Sequence, residues 1–164
     1  MARILITHAT RAGATADVAD ILADALAGAG HDVDTVPVAE GPSPEGFDLV
    51  VVGSGIHATA WYSEALDWLS AHGSVLAGRT ALFNVCLNAA NPMKRDETLD
   101  YNRPAAQLVA PVAQESFAGR YVPERVSFWK RVFMRTMQAA PKDHVSPGTI
   151  RAWAAVLADR VPAA

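Results

Sequence analysis

The chain has 164 residues, 51% of them hydrophobic and 19% charged, with a formal net charge of -3 at pH 7. That length suits one domain with a buried core, and the apolar share excludes a disordered chain. The slightly acidic balance argues against general nucleic-acid binding, the lone Cys86 excludes an internal disulfide, and no basic leader or long apolar segment precedes the first apolar run, which points to the cytoplasm.

Ile4, Leu5 and Ile6 open a short apolar strand that runs to Thr7, and a turn rich in Thr, Ala and Gly follows. Val18, Ile21, Leu22 and Leu26 recur at helical spacing and predict a helix over 15–29, ended by Gly28 and Gly30. Residues 33–38 alternate apolar and polar side chains up to Pro37, and Gly41, Pro42, Ser43 and Pro44 form a surface connection. Leu49 to Val52 is an unbroken apolar run, as a strand buried on both faces requires, and it ends in Gly53, Ser54 and Gly55 before a helix predicted over 61–72. A third buried strand is expected over 80–87, a helix with a weak apolar stripe over 92–107, and a poorer strand containing Pro111 over 109–118. The last helix is expected over 147–161, with Ser146 as N-cap, Pro147 at its first position, and Ile150, Trp153, Val156 and Leu157 on one face. Strands alternating with helices along the whole chain predict an α/β fold in one domain, an open parallel sheet with helices on both sides.

Such a fold does not require residues 120–145. They contain Pro123 and a helix candidate that Pro141 stops after Ala140, with Val126, Trp129, Phe133 and Met137 on one face and Arg131, Arg135 and Phe128 away from it. Two readings stand side by side: a helix packed on the domain with a solvated basic face, or a surface for membrane lipid, quinone or an acidic partner. The charge is uneven in the same sense. Residues 1–67 carry two basic and ten acidic side chains, residues 117–164 eight and three.

Two loops carry the chemistry. Thr10, Arg11, Ala12, Gly13, Ala14 and Thr15 are small, hydroxylated or cationic residues opening a helix, a composition that suits a phosphate: helix N-termini offer unpaired N–H groups and a favourable dipole. A tight strand-to-helix turn with Thr caps is the other reading, and the Gly-Lys-Ser/Thr ending of a Walker loop is missing. Gly53, Ser54, Gly55, Ile56, His57 and Ala58 match Gly-x-Gly-x-x-Gly/Ala after a strand. The match sits on the third strand rather than the first, and no acidic residue follows at the distance that holds a ribose, which counts against a dinucleotide site. Alternatively, the two glycines let the backbone lie close to a flat ring.

The loop from Ala9 to Thr15, the stretch from Asp48 to Trp61, and the strand Leu82, Phe83, Asn84, Val85, Cys86, Leu87 resemble the three FMN-contacting regions of flavodoxin-like proteins. The closer resemblance is to the menaquinone-dependent protoporphyrinogen dehydrogenase branch, which has a Ser/Ala-Thr-Arg-x-Gly-x-Thr loop, a Gly-x-Ser/Gly-Ile turn and a late insertion with aromatic and basic residues. Here that insertion is Arg120, Tyr121, Val122 and Pro123, then Phe128 to Met134. The resemblance implies a three-layer sandwich whose five-stranded parallel sheet has the order 2-1-3-4-5, with an inserted helix before the last one and FMN at the carboxyl ends of the strands. It implies that residues Thr10 to Thr15 hold the phosphate, that Gly55, Ile56, His57 and Ala58 flank one side of the isoalloxazine, and that Asn84, Val85, Cys86, Leu87 and Asn88 flank the other. The activity implied is an FMN oxidoreductase linked to quinone, with a porphyrinogen as substrate and a peripheral place at the inner face of the membrane. An electron-transfer flavodoxin and a binding module that has lost FMN are the alternatives.

His8, His57 and Thr59 depart from the branch's usual residues and bear on the substrate rather than the cofactor. His57 is the candidate catalytic residue, as a hydrogen-bond donor at the flavin edge or a proton carrier, against the reading of a bystander. His8, His31, His72 and His144 read as structural or exposed, and their spacing matches no metal site. Cys86 reads as an inert packed thiol, Trp129 and Trp153 as packing residues. Trp61 either covers the ring or begins its helix.

Overall fold

An apolar run without alternation is accommodated by a strand covered on both faces. Ile4, Leu5 and Ile6 of β1 (Arg3–Ala9) and Leu49 to Val52 of β3 (Leu49–His57) lie in this way in the computed structural model, which describes residues 1–121 and 142–161: each is at most 1% exposed. Between these strands come α1 (Ala14–Gly28) and β2 (Asp32–Pro37). After them follow β4 (Ala60–Trp61), α2 (Ser63–Leu76), β5 (Thr80–Cys86), α3 (Arg95–Asp100), α4 (Arg103–Val109), β6 (Ala113–Ala118), β7 (Arg120–Tyr121), β8 (Lys142–Asp143) and α5 (Pro147–Arg160).

Strands β2, β1, β3, β5 and β6 are parallel neighbours in that order. With the two-residue β4 set aside, since it only pairs antiparallel with the end of β3, this is the expected order 2-1-3-4-5. Alternation along the strands sends Ile4, Ile6, Val51 and Phe83 to the face covered by α1 and α5, where Leu22, Leu26, Ile150 and Leu157 meet them. Leu5, Val50, Val52 and Leu82 go to the opposite face, under Leu69 and Leu76 of α2 and Val109 of α4. Phe83, Phe117 and Trp153 meet edge to face with ring centroids 5.6–6.2 Å apart, so Trp153 is a packing residue.

Several boundaries differ from the expected ones, each for a physical reason. β3 does not end at Val52, because Gly53 and Ser54 stay in register with β1 and β5. α2 begins at Ser63, since Trp61 pairs with Ile56 in β4. The helix expected over 92–107 is divided into a 3₁₀ turn (Pro92–Lys94), α3 and α4, with buried Asn102 at the break between the two helices. Pro111 stands before β6 rather than in it, as a residue without an N–H should beside a ladder.

The helix expected within 120–145, with Val126, Phe128, Trp129, Arg131, Phe133, Arg135 and Met137, lies outside the described residues. Its flanks are described. Arg120 pairs with Asp143 and Tyr121 with Lys142 in the antiparallel β7–β8 ladder, so the chain leaves and re-enters the fold at one two-stranded stem. Among the described residues no helix is long and apolar enough to cross a membrane.

Candidate functional site

Parallel strands of one sheet end on the same side, so the loops after β1, β3 and β5 converge. The register fixes how closely: Ala9, Ser54, Asn84 and Ser116 stand in one row across β1, β3, β5 and β6, and Gly55, Val85 and Phe117 in the next.

The first loop turns on Gly13, whose φ of 89° lies in the left-handed region that glycine enters without a Cβ clash. This lets α1 start at Ala14. No side chain caps α1. Thr10 Oγ1 instead accepts the Gly13 N–H at 3.0 Å, and the first bond at the helix start runs from the Asp17 N–H to Gly13 O at 3.1 Å. The N–H groups of Ala14, Thr15 and Ala16 precede that bond and have no intrahelical acceptor. Thr10 thus closes the turn without capping the helix, and the first N–H groups of α1 are left without a protein acceptor among the described residues. Ala12 and Ala14 add only methyl groups, and Thr15 is 2% exposed.

Arg11, the loop's one cation, is paired with the carboxylate of Glu64 on α2 and lies over the Tyr62 ring, 4.4 Å from its centroid. That hydrogen bond holds the Glu64 carboxyl below the usual carboxylate range. Burial pushes the Tyr62 phenol up, against the pull of Arg11. A Cβ on Gly55 would stand 2.8 Å from Tyr62 Cε2 and 3.3 Å from Thr15 Oγ1, so only glycine lets the first loop, β3 and Tyr62 meet there. A second ion pair joins Asp17, in the first turn of α1, to Arg120 of β7. The carboxylate that would repel an anion at the helix start is thereby neutralised.

The second loop is a hairpin. His57 pairs with Ala60, leaving Ala58 at φ 48° and Thr59 at φ 66° as its two turn residues, the positive pair that a two-residue type I′ connection needs. Ile56 is half-buried; His57, Ala58, Thr59 and Ala60 are exposed, so His57 stands at the exposed tip of the hairpin. Trp61 neither covers a ring nor begins α2: it is 4% exposed, and its Nε1–H donates to Asn102 Oδ1 at 3.1 Å.

In the third region β5 continues to Cys86, which divides the five candidates. Asn84 is fully buried, its Nδ2 donating to Thr98 O at 2.8 Å and Asn102 Oδ1 at 2.9 Å while its Oδ1 accepts from Ser116 Oγ at 2.8 Å. Val85 packs in the core under α1 and α5. Cys86 is half-buried at the strand end, where burial pushes its thiol up. Leu87 and Asn88 are exposed in the turn Leu87–Ala90. Cys86, Leu87 and Asn88 therefore form the loop surface, while Asn84 and Val85 support it from below.

The Gly-x-Gly pair does lie against flat rings, but they are the protein's own. A Cβ on Gly53 would stand 2.5 Å from both Phe83 Cε atoms, and one on Gly55 would meet Tyr62. Of the other histidines, His8 is 7% exposed and its Nδ1 is buried without a partner; burial lowers its pKa, with Asp20 opposing. His31 accepts from the Ala2 N–H at 3.4 Å, His72 lies against Trp68 and His144 is exposed. Among the described residues no three His, Cys, Asp or Glu side chains converge as a metal site. Tyr62 and Glu64 are the site residues that sequence reasoning missed. Glu64 lies 53 positions from Arg11, and only the shared strand ends bring them together.

The flavodoxin domain family matches residues 5–146. The fold superimposes on oxidised flavodoxin 1 from Bacillus cereus with a TM-score of 0.65 at 15% identity, covering 98% of this chain and 99% of that one. A short-chain flavodoxin associated with a non-canonical PDU bacterial microcompartment gives 0.65 at 16% identity, covering 99% and 100%. A flavodoxin variant from Fusobacterium nucleatum, solved bound to flavin mononucleotide, gives 0.53 at 17% identity over 71% and 68%. At these identities the likeness is one of fold. No curated protein matches the chain significantly.

Proposed function

We propose that this chain, which belongs to the flavodoxin domain family, binds FMN and works as a quinone-linked oxidoreductase on a porphyrinogen-type substrate. The observation that carries the cofactor is the uncapped start of α1: three N–H donors at Ala14, Thr15 and Ala16, a left-handed glycine before them and no bulky side chain at Ala12 or Ala14. That donor set fits a phosphate monoester. The ring would lie between the hairpin Gly55, Ile56, His57, Ala58 and the turn Cys86, Leu87, Asn88. FMN supplies the redox chemistry when bound; the chain binds its phosphate, orients its ring and offers the exposed His57 imidazole as hydrogen-bond donor or proton carrier at the edge.

Two features support the finer reading. The resemblance to the protoporphyrinogen dehydrogenase branch continues through Arg120 to Met134, and the β7–β8 stem follows the carboxyl end of β6, so that segment leaves the fold at the same end as the three loops. Its Lys130, Arg131 and Arg135 beside Phe128 and Trp129 suit an anionic membrane face where a quinone resides. The acidic balance of residues 1–67 favours a second reading, an electron carrier docking on a basic redox partner.

Flavin absorbance of the purified protein, or its appearance after adding FMN, tests the cofactor, and a colourless protein that ignores FMN would leave a binding module. Anaerobic turnover of protoporphyrinogen IX with a menaquinone analogue tests the activity. An FMN-loaded protein that turns over with no quinone would return the choice to the electron carrier.

A further inference from the structure

The charges around the first loop cancel in pairs. Asp17 faces Arg120 and Glu64 faces Arg11, so a phosphate arriving at the start of α1 meets backbone donors but no uncommitted arginine from either pair. The two pairs differ in freedom. The Arg120 side chain is 21% exposed and rooted in a strand, whereas the Arg11 side chain is 57% exposed on the loop itself. Of the two guanidiniums, Arg11 can exchange partners at low cost, because an exposed ion pair contributes little and holds long side chains loosely. A dianionic phosphate beside helix N–H groups is the stronger acceptor for an arginine fork.

We propose that Glu64 is a built-in competitor for the phosphate: it holds Arg11 over Tyr62 until the phosphate of the flavin nucleotide takes the guanidinium, and so sets how strongly the site prefers FMN to the same ring without phosphate. The idea rests on the FMN reading above and assigns Glu64 a specificity role that acts through Arg11. The hydrogen-bond partner of the Glu64 carboxylate is the Arg11 guanidinium. Its effect should therefore appear only with a phosphorylated ligand and only when Arg11 is present.

The test measures dissociation constants of FMN and riboflavin by flavin fluorescence for the wild type, Glu64→Gln, Arg11→Gln and the double variant. Glu64→Gln should tighten FMN by up to about fivefold, the ratio that loss of an exposed ion-pair competitor permits, and leave riboflavin within about twofold. Arg11→Gln should weaken FMN about tenfold with riboflavin unchanged, and the double variant should match Arg11→Gln. If Glu64→Gln leaves FMN unchanged, or weakens FMN and riboflavin alike, the pair is a clamp on Tyr62 and the inference is overturned while the FMN reading stands. A wild type that binds neither flavin overturns both.

Discussion

His8 stands on the face of β1 that packs against α1, 7% exposed, with Nδ1 unpartnered. Burial depresses its pKa, and the Coulomb pull of Asp20 only partly offsets this. The unfolded chain then binds a proton near the ordinary value of 6.5, and the native imidazole only at lower pH. Stability is complete above that pH, declines as pH falls below it, and levels off once the native imidazole also protonates. His8→Gln should flatten this acid limb, read as a smaller drop in the urea midpoint between about pH 7.5 and about pH 5.5 than the wild type shows. At this scale the first loop was legible because its features are local: a glycine turn, small side chains and a helix start whose first N–H groups have no intrahelical acceptor. The roles of Gly53 and Gly55 were not: a Gly-x-Gly pattern says that something lies close, and only the fold shows that Phe83, across from Gly53 in the sheet, and Tyr62, against Gly55, are what lies there.

Elements joined by buried polar groups are harder to read from a sequence than elements joined by apolar stripes. Asn102, between α3 and α4, accepts from Trp61 Nε1 at 3.1 Å and Asn84 Nδ2 at 2.9 Å, and donates to Glu115 O at 3.2 Å. One buried side chain thereby ties β4, the returning strand of the His57 hairpin, to β5 and β6, the strands below the third loop. Asn102→Leu leaves the Trp61 indole N–H and the Glu115 carbonyl without this partner, so it should cost about 1–3 kcal/mol for each buried group left unpaired. Chemical denaturation measures it; a loss below about 0.5 kcal/mol would show that water or relaxation replaces the bonds. The weak apolar stripe of residues 92–107 was the trace of this break, since a residue serving a polar network interrupts helical periodicity. The β3–β4 hairpin left no trace, because Ala58 and Thr59 adopt positive φ without the Asn-Gly pair that usually marks such a turn.

For the whole molecule the alternation of strand and helix was enough to read the sheet, because strands buried on both faces need helices above and below. Charge was less legible: the acidic front and basic rear counted along the sequence meet in space, where Arg120 of β7 neutralises Asp17 of α1. The same β7 bears on how far residues 122–141 matter to the core. Tyr121 and Lys142 are cross-strand partners, so a two-residue turn can join them as it joins any hairpin. Replacing 122–141 by Asn-Gly shortens the connection and should leave the flavodoxin-like core folded, with Arg120 still facing Asp17 and FMN affinity within about twofold. Binding to anionic vesicles, if it resides in Lys130, Arg131 and Arg135, should be lost from the same variant. Circular dichroism, flavin titration and vesicle sedimentation on that one protein separate the outcomes. An unfolded variant would place core stability in the excised segment, and retained vesicle binding would move the membrane contact elsewhere on the fold.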